Sequence, residues 1–127
     1  MSTIRVRGIR GAIKVYENTA ETIIAATKEL LSAIIQENDI AVGDIASIFF
    51  TLTRDLNAEF PALAARKMGW HHVPLLCARE VDVPGAMTGV IRVLVHVNTE
   101  KSPEELKHLY LGEAALLRPD LSEENEN

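Results

Sequence analysis

The sequence predicts a single α/β domain of the α+β kind, a mixed sheet with covering helices, and three observations carry that reading. Runs of β-branched and aliphatic residues at 45–53, 73–81 and 90–97 read as strands, while residues 20–37 repeat their apolar positions at helical spacing. The chain has 127 residues, a length that suits one domain with its own core. A composition of 47% hydrophobic but only 5% aromatic residues means that Ile, Val, Leu and Ala must build that core.

Residues 4–15 read as the first strand, with the basic, glycine-punctuated centre Arg7-Gly8-Ile9-Arg10-Gly11. Thr19 is placed to cap a helix in which Ile23, Ile24, Leu30, Leu31, Ile34 and Ile35 form the apolar stripe, with Asn38 as its stop. Residues 45–53 form the second strand, and 54–57 turn the chain. Pro61 suits the first turn of a second, alanine-rich helix, and Gly69 its left-handed end. The third strand is expected at 73–81, and Pro84-Gly85 fits the centre of a type II turn. The fourth strand, 90–97, carries Arg92. Ser102-Pro103-Glu104-Glu105 has the chemistry of a helix start, so a third helix is expected to carry Leu106, Leu109 and Tyr110 and to end near Gly112. Residues 114–117 close as a short strand. One domain is thus expected over 1–121, with a solvated acidic tail at 122–127.

The net charge of −5 is concentrated at the end, where Glu123, Glu124 and Glu126 stand, and leaves the body near neutral at about −2. The 13 basic residues are scattered rather than striped with aromatics, which argues against a nucleic-acid surface. No apolar stretch is long enough to span a bilayer, and the N-terminus lacks the apolar region of a signal peptide. With a single cysteine there is no disulfide framework, and a cytoplasmic location is expected.

Arg92 poses the chemical question. A guanidinium in so apolar a strand stays charged and needs an anion facing it, either a carboxylate such as Glu80 or an anionic ligand. Cys77 is the one thiol, with no histidine beside it, and reads as a packing residue. His71 and His72 would point to opposite sides of an extended chain, so no metal is expected. No glycine-rich phosphate loop is present. What remains is fixed positive charge, one carboxylate and no nucleophile, a set suited to a reaction governed by shape and electrostatics.

Several local patterns coincide in order along the chain. They are Arg7-Gly8-Ile9-Arg10-Gly11-Ala12; Asp55-Leu56 with Phe60-Pro61-Ala62 and Arg66; Gly69-Trp70; Val73-Pro74 with Cys77 and Glu80-Val81-Asp82-Val83; Ile91-Arg92-Val93; His108 with Tyr110-Leu111; and Leu117-Arg118-Pro119-Asp120-Leu121. Together they resemble the small trimeric chorismate mutases over nearly the whole chain. The resemblance implies a pseudo-barrel subunit, a homotrimer with active sites at subunit interfaces, and rearrangement of chorismate to prephenate on the route to phenylalanine and tyrosine, without cofactor or metal. Carried over by position, it gives Arg92 the ether oxygen, Arg10 and Tyr110 a substrate carboxylate, and Glu80 the ring hydroxyl. Cys77 would line the pocket near the ring with Leu75 and Leu76, and Phe60, Arg66 and Leu117 would close it. Leu63 departs from the pattern, standing where the family places a lysine one turn after the phenylalanine. Two other functions compete: a trimeric imine deaminase, whose glycine-rich signatures are not apparent, and a noncatalytic trimer that senses a metabolite, against which the presence of Arg92 and Glu80 argues.

Overall fold

The computed structural model describes residues 3–118. The end of the expected domain, 119–121, and the acidic tail, 122–127, lie outside the described residues. Five strands form one mixed sheet in the order β3-β2-β4-β1-β5. The long strands β1 (Arg5–Lys14) and β4 (Val90–Thr99) pair antiparallel along their whole length, from Arg5 opposite Thr99 to Lys14 opposite Val90. β2 (Ile45–Leu52) joins the other side of β4 antiparallel, and β3 (Leu75–Arg79) extends β2 in parallel. The last strand, β5 (Leu109–Leu111), runs parallel to β1.

The period of two along β4 decides which face is covered. Ile91, Val93, Val95 and Val97 are buried with Ile9, Ile13, Ile48 and Phe50 beneath the helices, while Arg92, Leu94 and His96 point to the other face and are only half-buried. The strand is therefore not buried on both sides, as its composition suggested. α1 (Ala20–Asn38) covers the core face with Ile23, Leu30, Leu31 and Ile34. It approaches the sheet so closely that a Cβ on Gly11 would stand 2.8 Å from Ile34 Cδ1, which explains a glycine in mid-strand. Thr19 caps this helix by accepting the Thr22 N–H at 3.1 Å. At its other end Asn38 is buried and bonds Lys107 twice, accepting its N–H at 2.7 Å and donating to its carbonyl at 2.9 Å. α2 (Ala62–Lys67) follows Pro61 and packs against α1 and β3, with Gly69 left-handed beyond its end.

The segment after β4 differs from expectation. Ser102 does begin a capped turn, its N–H donating to the Glu105 carboxylate at 2.9 Å, but only a single 3-10 turn forms, Pro103–Glu105. Leu106 is already extended. Residues 109–111 become β5 because the edge of β1 offers a hydrogen-bonded ladder that a helix there would leave unpaired. The expected strand at 114–117 is likewise a 3-10 segment, Gly112–Leu117. β3 is shorter than the expected 73–81, ending at Arg79. No helix among the described residues is long and apolar enough to cross a membrane.

Candidate active site

The open face of the sheet carries one rung that crosses all five strands. Ala78 on β3 stands opposite Thr51 on β2, Thr51 opposite Arg92 on β4, Arg92 opposite Ala12 on β1, and Ala12 opposite Tyr110 on β5. Arg92 is thus flanked by small side chains on both sides, and its guanidinium has room above the sheet. The next rung runs Leu76, Phe49, Leu94 and Arg10. These two rows place Arg10 and Arg92 on the same face, two strand positions apart in register.

Glu80 joins them because β2 continues to hold the chain one residue past β3, the Glu80 N–H donating to the Leu52 carbonyl at 2.9 Å. Two residues beyond Ala78, its side chain returns to the open face. Oε2 accepts the Thr51 hydroxyl at 2.6 Å, and Oε1 lies 3.6 Å from Arg92 Nη1. The Arg92 side chain is 41% exposed and that of Glu80 26%. The anion demanded by Arg92 is therefore Glu80, and the guanidinium stands partly in solvent although its strand is largely apolar. Exposure keeps the cost of imperfect pairing small.

A cavity of about 390 Å³ lies over these residues, lined by Arg10, Phe49, Thr51, Glu80, Arg92 and Tyr110 among others. A second, of about 590 Å³, shares Glu80 and Arg92 and continues beneath the loop after β3 to Met87, Thr88 and Leu117. Tyr110 is buried in a small apolar cluster with Ala12, Val90 and Ala114, against which Leu117 packs. That cluster anchors one wall. The loop makes the other. Its tip is the expected type II turn, with the Ala86 N–H donating to the Val83 carbonyl at 3.0 Å and Gly85 at φ +83°. Its far end is tied down by Asp55, which accepts the Gly89 N–H at 3.1 Å. Burial opposes ionisation of Asp55, but that bond, the Thr53 hydroxyl and the Lys14 charge outweigh it and hold the carboxyl below its usual value.

Arg10, Glu80, Arg92, Tyr110 and Leu117 thus gather around one contiguous hollow. Leu75, Leu76, Cys77, Phe60 and Arg66 line neither part of it. Leu75 and Cys77 point to the helix side, opposite Ile48 and Phe50, and pack at the border of the core. Burial pushes the Cys77 thiol up, opposed by a hydrogen bond with the Ala62 backbone and by the charge of Arg66, so α2 and β3 bring these residues together. Phe60 is 65% exposed and Leu76 59%. Of the ten expected residues, five share the hollow, Cys77 and Arg66 meet on the helix side, and Leu76 stands on the open face beside Phe49. Sequence reasoning missed Thr51, which orients Glu80; only the register of β2 against β3 and β4 reveals it.

The five in the hollow offer two guanidinium groups and a phenol against one carboxylate, and no thiol or histidine lines the cavity over them. It suits an anionic small molecule held by charge and shape. The family model for chorismate mutase type I matches residues 6–121. The chain is 53% identical over 117 residues to chorismate mutase AroH of Thermus thermophilus, covering 91% of this chain and 96% of that protein. It is 43% identical over 118 residues to chorismate mutase AroH of Bacillus subtilis strain 168, covering 92% and 93%. Among solved structures, a chorismate mutase from Clostridium thermocellum superposes with a TM-score of 0.85 at 48% identity, covering 87% of this chain and 98% of that one. The fold, the cluster around Arg92 and these relatives agree: the chain belongs to the type I chorismate mutases.

Proposed function

We propose that the protein converts chorismate to prephenate in the hollow around Arg92, the step that leads toward phenylalanine and tyrosine, and that it does so as a cytoplasmic homotrimer. The reaction is an intramolecular pericyclic shift, in which an ether C–O bond breaks as a C–C bond forms. No proton, nucleophile or cofactor takes part, so catalysis reduces to holding the compact conformer and stabilising developing charge. Arg92 faces the ether oxygen as negative charge grows on it. Arg10 and Tyr110 hold a carboxylate, and Glu80, oriented by Thr51, takes the ring hydroxyl.

The observation that carries this reading is the rung itself, with Arg92 set between Thr51 and Ala12 and its charge only loosely met by Glu80 at 3.6 Å. The five expected residues outside the hollow support the trimer. Phe60, Arg66, Leu75, Leu76 and Cys77 line no part of the hollow of their own chain, with Leu75 and Cys77 on the far face of the sheet, but a neighbouring subunit would present them across an interface. The open face bears Val6, Phe49 and Leu76, all more than two-fifths exposed, as an apolar surface for that contact.

The test is the loss of chorismate followed by its ultraviolet absorbance, with prephenate identified as product. Catalysed loss is expected. Binding of chorismate without loss would mean a metabolite sensor, and neither binding nor loss would discard the assignment of the site.

A further inference from the structure

Arg10 lies where the sheet changes its hold on β1. From Gly11 onward the strand is paired on both sides, by β4 and by β5, but β5 begins at Leu109, opposite Gly11. No β5 residue stands in the ladder opposite Arg10. Its N–H donates instead to the ring of His108, reaching Nδ1 at 2.9 Å. Because a backbone N–H can only donate, Nδ1 carries no proton, and the neutral ring holds its hydrogen on Nε2. A side chain thus completes the ladder that the backbone of β5 leaves unfinished.

Arg10 is exposed, and among the described residues its guanidinium forms no ion pair. Its backbone is therefore the main constraint on where a long, flexible side chain starts. We propose that His108 is a positioning residue, whose Nδ1 fixes the Arg10 peptide and so aims the Arg10 guanidinium at a substrate carboxylate. This rests on the reading of Arg10 as the carboxylate-binding group. His108 lines neither part of the hollow. Its neighbours hold the segment as well, Leu109 in the core and Tyr110 in the cluster beneath the cavity.

A carboxylate is bound alike in the ground and transition states, so the effect belongs in KM rather than kcat. His108→Leu keeps bulk and removes the acceptor; KM is expected to rise about 5-fold, the scale of one hydrogen bond, with kcat nearly unchanged. His108→Asn restores an acceptor, since Oδ1 is attached to Cγ as Nδ1 is, and its KM should return to within about 2-fold of wild type. His108→Gln carries its oxygen one bond further out and should behave like the leucine variant. If His108→Leu does not fold, the Asn and Gln pair makes the same comparison.

The deciding arm repeats these kinetics in an Arg10→Ala background. There His108→Leu is expected to add nothing, because the group it aims has gone. Equal impairment in the Asn and Leu variants, or a full additional loss in the Arg10→Ala background, overturns the proposal and leaves a structural role. So does an unchanged KM for His108→Leu beside a raised KM for Arg10→Ala, which spares the reading of Arg10. An unchanged KM for Arg10→Ala overturns that reading and the positioning role together.

Discussion

Arg92 and Glu80 face each other at 3.6 Å, a distance at which charges attract but no close hydrogen bond forms. The other oxygen of the same carboxylate is claimed by the Thr51 hydroxyl at 2.6 Å. Glu80 is thus held by a neutral donor, not by Arg92, and neutralises the guanidinium only in part. The donors of Arg92 stay available to an incoming oxygen. A tight bidentate pair would have to be broken on substrate binding, at a cost of several kcal/mol where it is desolvated.

Cys77 is expected to be dispensable for chemistry. It stands at the border of the core, on the face of β3 away from Arg92, and burial raises its thiol, which keeps it protonated near neutrality. Steady-state kinetics of Cys77→Ser should show kcat within about 10-fold of wild type. A fall of about a thousandfold, the scale of a lost nucleophile, would contradict this.

The pH profile of kcat at saturating substrate should be flat between about 6 and 9. Guanidinium groups do not titrate there, and a pericyclic step transfers no proton. The raised Cys77 thiol brings no thiolate into the lower part of that window. A bell centred near neutrality would point to general acid and base catalysis instead.

Asp55 should matter for acid stability. Its folded pKa is lowered, so its contribution is present above the unfolded value of about 4 and is lost as the pH falls through the folded value. Asp55→Asn should lower Tm at pH 6, and the gap to wild type should close as the pH approaches 3. The group is exposed, so the gap corresponds to less than about 1 kcal/mol. Thermal unfolding across that range measures it, and a gap that widens in acid would reverse the sign.

Shared sites predict complementation. Arg92→Ala and Arg66→Ala disable different halves, so each trimer alone should be impaired. Mixed trimers formed by coexpression contain sites that draw an intact Arg92 from one subunit and an intact Arg66 from its neighbour, about a quarter of all sites for random assembly. Activity recovered near that level supports sites between subunits. No recovery in demonstrated mixed trimers would place Arg66 and Arg92 in the same subunit's site or leave Arg66 outside it.

Much of this was legible in the sequence because its signals are local. The helix from Thr19, the strand around Arg92 and the turn at Pro84-Gly85 all appear where spacing and turn chemistry put them. The segment after Ser102 departs from the expected helix: Leu106, Leu109 and Tyr110 fit a helical stripe in the sequence, and only the open edge of β1 decides for a strand. Register was also out of reach. That Thr51 and Ala12 flank Arg92 depends on pairings between residues far apart in the chain, and no local pattern encodes them. The opposite facing of Cys77 and Glu80, three residues apart, follows from the period of two and needs no register to be read.

The role of Arg92 is tested most directly by kcat for chorismate in Arg92→Ala and Arg92→Lys, with folding and assembly verified first. A guanidinium fixed on a paired strand meets charge developing on the ether oxygen without reorganising, so its loss should fall on kcat more than on KM. Arg92→Ala should lower kcat by at least roughly 10²- to 10³-fold, the scale of one preorganised donor. Arg92→Lys keeps the charge without the planar fork and should recover only part of it. A kcat near wild type in Arg92→Ala would contradict the assignment and move the chemistry to another residue.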